Sequence, residues 1–585
     1  MSDNLGVSKR VDPIQLEVLK NAFETIADEM AVIILRTSHS SIVRDSMDFS
    51  TALCDHNGQT LAQGLTNPGH LGSFYDAMSR LITQYGDNVQ DGDLFIANDP
   101  YEANGMHLPD IYIIKPIFSD QIVAGWAVTL AHQCDVGGLV PGSNSLGSTE
   151  IYQEGLRLPF VKVFSAGQRM DSIWDIIKLN VRLPDKLIGD LDAQIAACSA
   201  GERGLKELIE RYSLSVLFEY GKELHDYTEQ LTRAEFEKIP DGTYSFSDHL
   251  DGLGADPEAI DIKVAITFSG DEVYIDWTGT SEQVKGGINA TLPFTKAACF
   301  AALRSIMEVD VPTSYGFERA VKVFAPEGTL VNPRPPSACG SRAITGYRCI
   351  DCLFGALAQV VPERVTADST GGSTLPTLAG WHDGKPFIYA ETFMGVWGAA
   401  QSHDGQDGVP HMGANQSNTP IEMIEAEYPL RIERYGLVPD TGGAGKFRGG
   451  NSILREFRAL VDETLLVVRS DKRIYPPHGL YGGSTGAPSW NIINQGDGDE
   501  SILPATMTEP VYLQANDRFC HIMAGGGGYG SPLDRDPTDV LDDFLEGRIT
   551  IAHALQIYGV VIDESAKPMI DQSATAEQRQ KVQSE

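Results

Sequence analysis

A mixed α/β fold of the segregated α+β kind, built in several layers, is what this sequence predicts, and three observations carry the prediction. Pro13 to Arg36 repeats apolar residues at helical spacing: Leu19, Phe23, Ile26, Met30, Ile33 and Ile34. Leu94 to Ala97, a run starting at Ile111, and Ile122 to Ala131 are short, apolar and rich in β-branched residues, as strands are. Glycine supplies 59 of 585 residues, about 10% against a usual ~7%; this favours turns and close backbone approaches over a helical bundle.

A chain of this length forms several units or one large elaborated one. The composition divides it into an α/β region over 1–235, a β- and Gly-rich region over 236–535 and a helical tail over 536–585. The formal net charge of −35 argues against nucleic acid or anionic membrane as partner, since both select basic surfaces. No signal-peptide core and no run of about 20 apolar residues is present, and the eight cysteines are scattered, so a cytoplasmic protein is expected. The one CxxC, Cys349 and Cys352, lacks the second pair a zinc site needs and reads as two small residues on one helix face.

Taken in order, the first helix leads through Thr37–Ser41 to a strand over Phe49–Cys54, with Asp48 just before it. A carboxylate there is ordinarily a turn residue. A Gly- and Pro-marked loop, Gln63 to Ser73, carries His70 to the start of a helix over Ser73–Tyr85. At a helix N-terminus an imidazole is biased towards its neutral form and can serve as a base; a capping or packing role fits the pattern equally. The strand Leu94–Ala97 ends in Asn98-Asp99-Pro100-Tyr101, then come His107-Leu108-Pro109-Asp110, the strand from Ile111, and the strand to Ala131 that stops at His132. Adjacent strands lie about 5 Å apart, so His107, Asp110 and His132 can converge on a divalent metal, although HxxD is a weak pattern and a hydrogen-bonded structural histidine fits the same spacing. Helices are expected at Ile173–Lys178, Lys186–Ala200 and Gly204–Leu231, with Asp190 and Gln194 in packing roles.

Beyond Ile239 the pattern turns to short strands, Ala265–Phe268 and Glu272–Trp277, and then to helices at Thr295–Met307 and Ile350–Gln359. Asp404 to Gly408 lacks the calcium-loop spacing. Gly443-Ala444-Gly445-Lys446 lacks the hydroxyl residue a phosphate loop needs, since Phe447 follows the lysine; Lys446 and Arg448 are left to face a partner or an anionic intermediate. Gly525–Gly528 allow an anion nest or a close crossing of chains. A helix-turn-helix tail over Asp539–Gly559 and a frayed end from Glu564 complete the reading.

NDPYEANGMHLPD, followed by AHQCDVGG, the 435–450 block and the GGGGYGSP run resemble the hydantoinase B/oxoprolinase family over about residues 11 to 563. That resemblance implies a hydantoinase B-like fold with a metal site at strand ends, Asp48 (in the run Asp48-Phe49-Ser50) joining His107, Asp110 and His132 as ligands. Histidine and carboxylate donors suit Zn²⁺, Mn²⁺ or Fe²⁺. His70 and Asp99 become the catalytic candidates, His70 as base and Asp99, with Asn98, orienting the ligands. The resemblance further implies an ATP-dependent cyclic amidase acting on a hydantoin, 5-oxoproline or a lactam. A hydantoinase A-like partner subunit would use ATP and Mg²⁺ to phosphorylate the amide, and the hetero-oligomer would hold two copies of each subunit. A ketone carboxylase of the acetone carboxylase kind and a non-catalytic scaffold for the A subunit are the alternatives.

Overall fold

The computed structural model describes residues 11–64, 67–371, 374–414, 416–563 and 568–584. Its organising element is a seven-stranded antiparallel sheet: β1 (Phe49–Cys54), β2 (Thr60–Gln63), β3 (Leu94–Ala97), β4 (Asp110–Ser119), β5 (Ile122–His132), β6 (Val161–Ser165) and β7 (Gln168–Arg169). The spatial order is β2-β1-β5-β4-β3-β6-β7. Both faces of this sheet are covered, which is why β5 reads as an unbroken apolar run rather than an alternating one. Ile111, Ile113, Ala127 and Ala131 pack under the helices Pro13–Thr37 and Pro184–Tyr212. Tyr112, Ile114, Val128 and Leu130 join a second core that continues through residues from Phe236 to Ala414. One hydrophobic core therefore crosses position 236.

The helix Pro13–Thr37 starts where the sequence says it should: Asp12 caps it by accepting from the Ile14 N–H, with Pro13 in the first turn. The next long helices differ from expectation. Pro184–Tyr212 is continuous, and the break comes at Ser213, whose φ is 72°, before Leu214–Phe236. Gly201 and Gly204 do not interrupt it. A Cβ at Gly201 would sit 2.6 Å from Met30 Sδ, and one at Gly204 2.7 Å from Ile26, so these glycines let two helices approach closely. Asp190 accepts from the His39 and Ser40 N–H groups, and Gln194 Nε2 donates to Ile111 O; both are structural.

A four-stranded sheet follows (Gly242–Leu250, Ile260–Ser269, Glu272–Asp276 and Val321–Phe324), together with the helices Leu292–Ser305 and Ala343–Leu357. The last begins seven residues before the expected Ile350, because Gly346 sits inside it. A Cβ there would meet the Phe294 ring at 1.9 Å. Cys349 and Cys352 are buried free thiols on this helix. Beyond it come a four-stranded sheet and a five-stranded sheet assembled from strands between Leu375 and Ile522.

Gly525–Gly528 form a chain crossing, not a nest. Their N–H groups donate to the carbonyls of Ala487, Gly450, Asp368 and Ser484 respectively, leaving none for an anion. Gly443 and Lys446 likewise donate to Gly526 O and Gly530 O, so the GAGK run cradles no phosphate. Arg448 is also corrected: it is buried, with Nε donating to Asp543 and Nη1 to Gly449 O. Asp404 and Asp407 pair with Arg535 and Arg548. At the end of the chain, Glu564 lies outside the described residues. Where the composition predicts a frayed end, Gln572–Ser584 is a helix tied back by Arg579, which donates to Tyr558 O and Arg535 O. No helix among the described residues is long and apolar enough to cross a membrane.

Candidate metal centre

The strand register brings three side chains together. Asp110 opens β4 and pairs directly with His132, the last residue of β5. On the other side of β5, Phe49 pairs with Ala131, so Asp48 falls beside His132, whose N–H donates to Asp48 O at 3.0 Å. His107 reaches the same corner from the loop before β4. Ligand atoms of His107, Asp110 and His132 lie within 4.8 Å of one another, all buried, and the two imidazole centroids are 5.0 Å apart.

The protonation pattern of this trio is the informative part. His107 Nδ1 lies 2.7 Å from Gly340 O. A carbonyl only accepts, so Nδ1 carries the proton and, in the neutral ring, Nε2 is a bare acceptor. The ring stays neutral: burial, reinforced by Arg342, lowers the His107 pKa to about 3. Yet Nε2 faces Asp110 Oδ1 at 3.1 Å, and neither atom has a hydrogen-bond partner. Burial alone would push the Asp110 carboxyl up, but Arg342 and His107 overcome it and hold it well below the usual range, so it is ionised. Two acceptors thus face each other out of water, an arrangement that costs free energy unless a cation joins them. Their spacing suits two ligands of one ion, each at about 2.1 Å. Nδ1 of His132 is a third buried acceptor or donor without a partner, and burial keeps that ring neutral too. The residues therefore fit a divalent ion on the chemistry of the donor set.

The remaining expected residues are placed as follows. Asp48 lines the same cleft but is not one of the converging three; its Oδ1 accepts from Asn67 Nδ2 at 2.9 Å. His70 ends a short 3₁₀ turn before the helix Ser73–Tyr85. Its Nδ1 is 2.9 Å from Ser50 Oγ and its Nε2 3.9 Å from Asp110 Oδ2. Burial is the largest cause of its lowered pKa, so it is neutral on account of desolvation. Asp99 points elsewhere: Oδ1 accepts from the Tyr101 and Glu102 N–H groups and Oδ2 from Arg157 Nε. Asn98 holds the loop next to His107, donating to Leu108 O and Leu156 O and accepting from the Leu158 N–H.

The cleft itself is narrow, with about 20 Å³ open to the centres of water molecules, enough for one water or slightly more. Residues distant in sequence close it: Phe294, Arg342, Tyr347, Thr392, Gln416 and Arg469. Arg342 donates to Asp110 Oδ2 and lies over the Phe294 ring at 4.4 Å. None of these six stands out in the sequence. A lone arginine in Ser341-Arg342-Ala343 or Val468-Arg469-Ser470 carries no spacing signal, and only the fold brings it to the strand ends.

A protein-family model described as Hydantoinase B/oxoprolinase matches residues 12–532. The putative B subunit of a D-/L-hydantoinase from Pseudomonas sp. (strain NS671) is 35% identical over 587 residues, covering 98% of each chain. Among solved structures, the ATP-dependent caprolactamase from Pseudomonas jessenii superposes with a TM-score of 0.91 at 32% identity, over 98% of this chain and 100% of that one. A nucleotide-free acetone carboxylase structure gives the same TM-score at 19% identity, over 98% of this chain and 83% of that one, a likeness of fold.

Proposed function

The chain belongs to the hydantoinase B/oxoprolinase family, and from that premise we propose that it is the metal-dependent hydrolytic subunit of an ATP-dependent cyclic amidase. Its substrate is a hydantoin, 5-oxoproline or a lactam, and its partner is an ATP-binding A subunit. The observation that carries the reading is the buried His107 Nε2–Asp110 Oδ1 contact at 3.1 Å, two acceptors with no proton between them.

His107, Asp110 and His132, with Asp48 from across the cleft, are the residues that would hold the ion. A divalent ion so held, Zn²⁺, Mn²⁺ or Fe²⁺, supplies a Lewis acid and makes water a stronger acid near neutrality. The Gly340 carbonyl fixes the His107 tautomer, as such partners do for ligating imidazoles. An amide resists attack because resonance stabilises its planar C–N bond, so the partner uses ATP, with Mg²⁺, to phosphorylate the amide oxygen. His70, kept neutral by burial and oriented by Ser50, takes the proton from the attacking water. Water adds to the activated carbon, the C–N bond breaks, the nitrogen leaves as an amine, and the resulting acyl phosphate is hydrolysed to carboxylate and phosphate. Asp99 and Asn98 act at a distance by holding the loop that presents His107. Greater identity to the caprolactamase than to the acetone carboxylase supports hydrolysis over carboxylation.

The test is co-expression with the A subunit, metal analysis of the purified complex, and ATP-dependent turnover of hydantoins, 5-oxoproline and lactams with product identification. About one ion per chain and a ring-opened amino acid are expected. A new carboxylate on a ketone would replace this reading with a carboxylase, and full activity in a metal-free preparation would refute the metal centre.

A further inference from the structure

The cleft beside the triad carries more positive charge than the triad requires. Asp48 and Asp110 contribute two negative charges, and Arg342 and Arg469 two positive ones; all four line the cleft or touch its wall. The side chains are therefore balanced before any ion enters. A divalent ion, on the reading above, leaves a buried excess of two positive charges, and such an excess is costly unless an anion offsets it.

We propose that Arg342 and Arg469 form an oxyanion cradle that receives the phosphoryl dianion of the activated substrate, next to the water-attacked carbon. This assignment rests on the metal-centre reading. Four observations support it. Both guanidiniums are almost wholly buried at the cleft, so their charge is screened little by water. Arg342 commits one nitrogen to Asp110, while its Nε has no hydrogen-bond partner. The Gln416 amide oxygen, also lining the cleft, finds no donor; turned by half a rotation, that amide offers its NH₂ to an oxyanion instead. Finally, the fifteen-residue helix Ala343–Leu357 begins at the cleft wall, so the positive end of its dipole faces the same space. Arg469 meanwhile donates to Asn144 at 3.3 Å, which fixes its fork in place. Burial and the neighbouring Arg342 lower its pKa to about 10; like charges are being held together, and a dianion between them relieves that.

The experiment uses the full chain loaded with Zn²⁺ and titrated calorimetrically with inorganic phosphate, with acetate as the singly charged comparator. Metal content is measured separately for every sample. Wild type is expected to bind phosphate, and acetate about tenfold more weakly or worse. Arg469→Gln is expected to weaken phosphate about tenfold or more, with its metal content unchanged. Arg469→Lys, which keeps the charge but loses the fork, should fall between the two. Unchanged phosphate binding in Arg469→Gln, acetate binding as tight as phosphate, or loss in Arg469→Lys equal to that in Arg469→Gln would each overturn the cradle. Failure of the chain to retain zinc defeats the metal centre instead. In that case the metal-free chain is titrated: a tenfold loss on Arg469→Gln keeps the cradle, and no loss removes it.

Discussion

Two clusters among the described residues bring histidine and carboxylate groups within ligand distance of each other, and they differ in what surrounds them. His107, Asp110 and His132 form the first. Asp248, Asp368 and His478 form the second. The second is already neutralised by the protein's own cations. Arg348 pairs with Asp248 and Asp471, and Lys472 pairs with Asp368 and Asp351. His478 Nδ1 is 3.2 Å from Asp368 Oδ2. Every carboxylate in that network has a positive partner, and the whole pins the four-stranded sheet and the helix Ala343–Leu357 to loops near 368 and 471–478. In the first cluster Arg342 takes one oxygen of Asp110, and the other faces a bare imidazole nitrogen. Proximity of donors is common; unpaired acceptors in a buried corner are what set the candidate metal centre apart from a structural ion network.

Substitutions in the two clusters should therefore fail in different ways. The largest effect is expected from His107→Ala or His132→Ala in the reconstituted complex. Bound metal should be lost and ATP-dependent ring opening should drop by about 10³-fold or more, the several kcal/mol a Lewis acid supplies. Wild-type turnover in both variants would place the first cluster in the same class as the second. His70→Gln should reduce kcat by about 10² to 10⁴ while metal analysis still finds the ion. Loss of the ion would recast His70 as a ligand. In the second cluster, Lys472→Met leaves Asp368 and Asp351 buried without their cation. A destabilisation of about 3–5 kcal/mol should appear in denaturant unfolding, with metal content unaltered; a fall in metal content would show the comparison to be drawn wrongly. The smallest effect concerns pH. Burial opposes protonation of His478, but Asp368 overcomes it and raises its pKa above 6.5. Its contribution is then full below the unfolded value near 6.5 and lost as pH rises through the folded value. His478→Gln should flatten that part of a melting-temperature profile taken from pH 6 upwards. An identical profile in the variant would assign the titration elsewhere.

The sequence exposed the first cluster and hid the second because of where their members lie. Asp110 opens and His132 closes two strands whose apolar runs are easy to see, and two residues at adjacent strand ends meet by register alone. Asp248, Asp368 and His478 come from a strand and two separate loops, and nothing local relates them. The same holds for Arg342 and Arg469 in the cleft. Element positions were legible where apolar periodicity decided them, as in Pro13–Thr37 and β5. They were not where glycine serves packing. The expected gap between Ala200 and Gly204 and the expected start at Ile350 both give way, since Gly201, Gly204 and Gly346 sit inside helices where a neighbouring helix or ring occupies the space a side chain would need. Asp48 stood out only through its family-like context and reaches the cleft from the residue just before a third strand, β1. Asp99, in the most conspicuous turn of the chain, is taken up by that turn and by Arg157.

The glycine crossing at 525–528 bears on how the chain is made. Its hydrogen bonds join stretches that are 38 to 159 positions apart, from Asp368 and Gly450 to Ala487 and Ser484. Contacts of such separation close slowly, since each needs a long loop to be drawn in first. During synthesis the antiparallel sheet bearing His107 and His132 can assemble while the ribosome is still extending the chain. Of the residues that complete the cleft, Gln416 and Arg469 follow His132 in the chain by more than 280 positions. A chain synthesised only as far as that sheet therefore carries its two imidazoles without the wall that closes over them.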